Sequence, residues 1–387
     1  MQQVYGPPPG TVKEPGRGAR SVTSAAGRRL VARPDVRDGA SRPRWGRVFS
    51  GVPIHCAGHA PEARRIRPRR ILSGALLLVS LGGAPAAAQG LPEFAPINPV
   101  AQARSGLYFQ PYREAKPGHL SLEVRLDYGS AIEYNFPQSR PGYLLDGEFL
   151  RLQFAAARDV RPNLFVFGDA SLDGAYAGFL DGFLNWYHRL LGINLPERDA
   201  RPNNVFAYQM ALGNGLTLDR SPSDLFLGDT RIGAGYRWSR ALQTTVSVTL
   251  PTSTAPDGYG RGTVSVNTVN TARVHLSSRF TYEGSLGLGW TPTHGDLTPY
   301  QKTAFVSATS GLRFRFWGRS SLFANVFYHS PYYHDTTLPA LDRRDLALDF
   351  GWLLATKGGK EWRIGMTEDL EPSGPAIDII FRFGASF

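Results

Sequence analysis

From Leu120 to the last residue, apolar and polar side chains alternate with period two. Leu120, Leu122, Val124, Leu126 and Tyr128 interleave with Ser121, Glu123, Arg125, Asp127 and Gly129, the pattern of a strand with one apolar and one polar face. Ile377, Ile379, Phe381, Phe383, Ala385 and Phe387 repeat it against Asp378, Ile380, Arg382, Gly384 and Ser386. The alternation predicts twelve strands, near residues 119–134, 143–158, 163–175, 225–238, 241–250, 263–277, 279–290, 302–316, 320–331, 341–356, 360–370 and 375–387. Once the strand ends are trimmed, no position in the apolar register is Asp, Glu, Lys or Arg, although 19 % of the chain is charged. The other register carries Glu123, Arg125, Asp127, Arg151, Arg231, Arg237, Arg273, Glu283, Arg313, Arg315, Asp345, Asp349, Arg363, Asp378 and Arg382.

Connections alternate between tight turns, such as Ser239-Arg240 and Gly318-Arg319, and longer loops, the longest being 176–224. An even strand number with short turns at one end and long loops at the other is the signature of an outer-membrane barrel. Strands of this length suit a tilted bilayer crossing and exceed the roughly 5 to 6 residues usual in soluble sheets. Tyr236, Trp238, Trp290, Phe316, Tyr328, Trp362 and Phe387 stand near outward strand ends, where interfacial girdles form. The fold class expected is therefore all-β: a 12-stranded antiparallel transmembrane β-barrel over 119–387, with its charged face lining the lumen. A soluble periplasmic β protein is the competing reading.

The basic character of the chain lies elsewhere. Its formal charge is +11, yet residues 1–88 hold fifteen Lys and Arg against four Asp and Glu, which leaves the remainder neutral. That removes the main support for a nucleic-acid partner. Residues 1–63 form an aperiodic, Arg/Gly/Pro-rich leader, read as disordered and as the product of a start placed too early. Residues 64–88 read as a signal peptide: Arg64 to Arg70, an apolar run from Ile71 to Leu81, and small residues before a cleavage site between Ala88 and Gln89. Residues 89–118 are then expected as a periplasmic N-terminal segment. The single Cys56 precedes this cut, so the exported chain has no disulfide.

Within the long loop, Gly178 to Gly192 has a helical repeat, with Phe179, Phe183, Trp186 and Leu190 on one side and Tyr187 and His188 beside it. Such an amphipathic helix in an extracellular loop could lie on the outer leaflet or fold over the mouth as a lid. A small hairpin is expected around Gly213-Asn214-Gly215. His275-Leu276-Ser277 invites comparison with an outer-membrane lipase, but it lies near a periplasmic turn and no orienting partner is evident. His294, His329, His334 and Asp335 read as ordinary loop residues, so neither a metal nor a cofactor is expected, and no catalytic residue is assigned.

Ile97-Asn98-Pro99, Leu145-Asp146-Gly147-Glu148-Phe149-Leu150-Arg151, the Gly178–Gly192 segment with Trp186, His188 and Leu190, and Leu227-Gly228-Asp229-Thr230-Arg231 resemble a proteobacterial family known as a domain of unknown function and placed in the outer membrane. The resemblance spans most of residues 95–387. It implies location and architecture and brings no catalytic residues.

The function expected is a narrow channel or binding protein for a small solute, with the helix-bearing loop gating the mouth. A non-conducting structural or surface-interaction protein and a lipid-modifying enzyme are the alternatives. Expected partners are outer-membrane lipid, lipopolysaccharide and the insertion machinery of a Gram-negative cell, which would read Phe381, Phe383 and Phe387 in the last strand.

Overall fold

The computed structural model describes residues 90–387 except 116, 117, 119, 136–141, 193–197, 199, 200, 357–359 and 372–376. The expected leader and signal peptide lie outside the described residues. The strands are β1 (Leu120–Asn135), β2 (Gly142–Arg161), β3 (Leu164–Tyr176), β4 (Ala207–Ala211), β5 (Thr217–Arg220), β6 (Ser223–Leu227), β7 (Thr230–Arg237), β8 (Leu242–Leu250), β9 (Ser265–His275), β10 (Phe280–Trp290), β11 (Ala304–Trp317), β12 (Ser320–His329), β13 (Asp345–Ala355), β14 (Glu361–Asp369) and β15 (Ile379–Ser386).

Twelve of them, β1 to β3 and β7 to β15, close an antiparallel ring. β1 pairs with β2 on one side and with β15 on the other, Val124 opposite Ala385 and Tyr128 opposite Phe381. The ring leaves no free sheet edge. β4 and β5 form the expected hairpin and extend the top of β2 above the ring. β6 and β7 divide the single strand expected at 225–238. The break falls at Gly228, where a Cβ would come within 2.2 Å of Ser171 Oγ.

Exposure follows the alternation and runs opposite to that of a soluble sheet. Leu286, at the middle of β10, is 54 % exposed, and Leu122, Phe154, Ile232 and Ile364 on other strands are exposed with it. Asp349 is fully buried, as are Arg125, Asp127 and Arg382. Water would not tolerate so continuous an apolar band with the charge of the strand middles inside; hydrocarbon solvates it. Accordingly Leu286→Arg is expected to destabilise the barrel by about 2–4 kcal/mol, measured as a shift in urea unfolding from liposomes. No helix among the described residues is long and apolar enough to cross a membrane.

Candidate functional site: a lumen filled by the chain's own N-terminal segment

Residues 90–114 lie inside the ring. This corrects the expectation of a periplasmic segment at 89–118, and the reason is composition. Leu91, Phe94, Ile97, Val100, Leu107 and Phe109 are each 3 % exposed or less, so the segment removes its apolar surface from water by entering the lumen. It runs from the short-turn end up to Ile97, turns, and returns as a hairpin, with Phe109 N donating to Phe94 O at 2.9 Å. The turn is a short helix, α1 (Pro99–Gln102). Asn98 caps it by accepting from Val100 N at 2.8 Å, and Pro99 occupies a position where no N–H is needed. The Asn98 amide also donates to Glu133 on β1 at 2.9 Å.

The lumen charges anticipated from the alternating register are what grips this hairpin. Arg313 donates to Gly90 O (3.1 Å), Arg125 and Arg363 to Glu93 O (3.3 and 3.2 Å) and Arg151 to Pro96 O (3.0 Å). On the descending arm Arg273 donates to Tyr112 O and Arg237 to Arg113 O. All six of these arginines also hold wall carboxylates: Arg125 with Glu123 (3.5 Å), Arg151 with Asp173 (3.0 Å), Arg237 with Asp159 (2.6 Å), Arg273 with Glu283 (2.6 Å), Arg313 with Glu361 (2.7 Å) and Arg363 with Asp349 (3.2 Å). Arg382 bridges Asp127 at 2.9 Å and stacks over Phe94 at 4.7 Å.

Glu93 stands at the middle of the network, 3.1 Å from Arg125 and 2.6 Å from Arg231. Arg231 is also bound to Asp169 at 2.7 Å and lies over the Tyr108 ring at 4.5 Å. A buried guanidinium has to fill its donor sites. Here the carbonyls of an irregular segment fill several of them.

At the long-loop end the hairpin is sealed. Ile97, Val100 and Leu107 join a cluster with Tyr143, Phe149, Tyr208, Phe305, Tyr332 and Leu338. Arg104, 1 % exposed, donates to Thr291 O and Lys302 O (3.1 and 2.7 Å), and Arg261 donates to Gln102 O and Ser105 O (3.1 and 2.8 Å). At the short-turn end a cavity of about 580 Å3 reaches up to Leu91 and Glu93. The lumen is thus shut at the top and hollow at the bottom.

Three expected lumen residues stand apart from the hairpin. Arg315 lines the lower cavity and donates to Ser278 O. Asp345 accepts from Tyr332 Oη at 3.2 Å, and Asp378 pairs with Arg198 of the long loop at 2.8 Å.

The loop helix, α2 (Asp181–Leu191), ends at Gly192 with φ 72°, as its Gly predicts. It does not cover the mouth. Phe179 stacks on Tyr128 of β1 (5.6 Å) and Phe183 packs at a tilt against Phe381 of β15 (6.0 Å), both outward-facing residues. Tyr187 donates to Glu368 on β14 at 3.3 Å. The helix therefore lies on the outer wall across the seam where the ring closes, with Phe179, Trp186 and Leu190 more than half exposed. This corrects the gating role expected of the loop, because its apolar side finds the barrel's apolar face before it could reach a polar mouth. His188 is buried beneath the helix, and burial lowers its pKa.

The lipase comparison fails on geometry. His275 Nδ1 bonds Thr281 Oγ1 at 3.1 Å, while Ser277 Oγ accepts from Arg279 N and Phe280 N, so the two side chains do not act on one another. His329 is not a loop residue but lies in the lumen, bonded to Ser105 Oγ at 2.6 Å. Among the described residues no three His, Cys, Asp or Glu side chains gather as a metal site.

A family profile described as "Protein of unknown function (DUF3187)" matches residues 89–387. The chain belongs to this family. The matched region begins where the hairpin begins, so plug and barrel form one family unit. No curated protein matches in sequence. Among solved structures, an outer-membrane channel from Pseudomonas putida is 13 % identical over 70 % of this chain and 96 % of its own, with a TM-score of 0.47. The monoaromatic hydrocarbon channel CymD is 11 % identical over 75 % of this chain and 91 % of its own (TM-score 0.35), and the KdgM porin 7 % over 69 % and 98 % (TM-score 0.35). The barrel described above rests on this chain's own strand pairing.

Proposed function

We propose that this DUF3187 barrel is an outer-membrane channel for a small solute and that residues 90–114 are its gate. One observation carries the reading. Among the described residues, none of the hairpin pairs in register with a barrel strand, and both its arms lead to the short-turn end. It can leave the lumen without breaking the ring. A twelve-stranded ring with the plug withdrawn leaves a polar passage of at most about 10 Å, a width that admits small solutes. Export after cleavage between Ala88 and Gln89, insertion guided by Phe381, Phe383 and Phe387, and contact of α2 with outer-leaflet lipid and lipopolysaccharide complete the proposal. The engaged side chains of His275 and Ser277 support a non-enzyme.

Locking the hairpin tests it. A Cβ at Gly106 would sit 3.4 Å from the Ser265 Cβ on β9, close to the spacing of bridged cysteines. The tips of Asn267 and Thr249 have to turn aside to admit it. The chain with Gly106→Cys and Ser265→Cys is expected to lose solute flux into liposomes when oxidised and to regain it on reduction. Equal flux in both states would show that solute does not pass by release of the plug; no flux in either state, nor in the unaltered chain, would assign a non-conducting structural role.

A further inference from the structure

Throughout the plugged part of the lumen, arginines are matched by carboxylates or by hairpin carbonyls. In the lower cavity that matching breaks down along one arc. The side-chain carboxylates that line the cavity are already engaged: Glu93 by Arg125 and Arg231 (3.1 and 2.6 Å), Asp169 by Arg231 (2.7 Å), Glu114 by Arg273 (3.1 Å), Glu123 by Arg125 (3.5 Å) and Glu361 by Arg313 (2.7 Å). On two neighbouring turns, those joining β9 to β10 and β11 to β12, stand Arg279 and Arg319, with half-buried Arg315 on β11 between them. Among the described residues none of the three has a carboxylate partner; the Arg315 side chain donates to Ser278 O. Leu91, Phe165 and Phe167 supply an apolar wall to the same cavity.

We propose that this vestibule is a binding site for a small organic anion with an apolar body. Its volume of about 580 Å3 lies within the usual range for small-molecule sites. Arg315, helped by Arg279 and Arg319, holds the anionic group through charge-assisted hydrogen bonds, and the apolar body lies toward Phe165 and Phe167. The side-chain carboxylates around the cavity are taken up by other arginines, so the positive charge of this arc is free for a ligand. The anion would be the solute class of the proposed channel. To that extent the inference rests on the channel reading, but the site exists with the plug seated, and its test needs no conduction.

The test is calorimetric titration of the intact, detergent-solubilised barrel with benzoate, benzamide and benzamidine, which share one ring and differ in charge. Saturable binding of benzoate, weakened about tenfold by Arg315→Gln (about 1.4 kcal/mol) and also weakened by Arg319→Gln, supports the proposal. Benzamidine should not bind. No saturable benzoate binding, equal affinity for benzamide, or unchanged affinity in both variants would overturn it. Arg319 is an exposed turn residue, so that variant keeps the test valid should Arg315→Gln fail to fold. Failure here with flux intact removes the anion site alone; failure of flux with benzoate bound removes the channel alone.

Discussion

A mature chain that begins at residue 115 is expected to hold an open pore, with planar-bilayer conductance more than about tenfold above that of the intact chain, as a sealed lumen becomes a passage about 10 Å wide. The ring does not depend on what is removed. Its twelve strands pair with one another, and eight residue pairs register the closing seam between β1 and β15. The wall pairs Arg151–Asp173, Arg382–Asp127 and Arg363–Asp349 lie between barrel residues and persist. The arginines that lose hairpin carbonyls gain water, because the emptied lumen is wet. Heat-dependent electrophoretic mobility checks that the truncated barrel is folded. A folded but electrically silent truncation would mean that something other than the hairpin closes this barrel and would favour a structural role.

The ring was legible because hydrocarbon enforces a strict rule: an outward charge is costly, so the register of every strand could be read from where charge is missing. Leu286 outside and Asp349 inside are that rule seen in the structure. The plug was not legible by the same means, because it has no ladder and hence no period. Its apolar residues, Leu91, Phe94, Ile97 and Val100, were present in the sequence, but nothing in their spacing says what covers them. A signal was nevertheless available. Nine arginines in the inward register each bring several N–H donors that need acceptors, and a segment with apolar residues lying between the expected cleavage site and the first strand is the nearest source of backbone carbonyls.

The position of α2 also left a trace. Asp146, Glu148 and Glu368 lie in the outward register at strand tops, beyond the uncharged band of the strand middles. Each is covered by the long loop: Arg201 bonds Asp146, Phe179 N donates to Glu148 at 2.7 Å, and Tyr187 donates to Glu368. Outward carboxylates clustered on β2 and β14, either side of the seam, mark where polypeptide and not lipid meets the wall. Read that way, the sequence places the helix on the wall and not over the mouth.

Glu93→Gln is expected to unseat the plug without removing it. The Glu93 carboxylate is 9 % exposed and is shared by Arg125 and Arg231. Removing one partner of a buried ion pair costs about 3–5 kcal/mol. The low end applies here, because Asp169 still faces Arg231 at 2.7 Å and Glu123 still faces Arg125 at 3.5 Å. About 3 kcal/mol multiplies the ratio of open to seated plug roughly a hundredfold, since those two arginines are neutralised less well only while the hairpin occupies the lumen. In bilayers this appears as a matching rise in open probability, and in proteoliposomes as faster cleavage of the hairpin by protease reaching the short-turn end. Glu114→Gln is the comparison. That carboxylate is 33 % exposed in its pair with Arg273, so its loss is worth about 1 kcal/mol or less. If Glu93→Gln leaves the barrel as closed as Glu114→Gln does, the hairpin is held by its apolar tip against Tyr143, Phe305 and Tyr332, and the central charge network is a property of the wall alone.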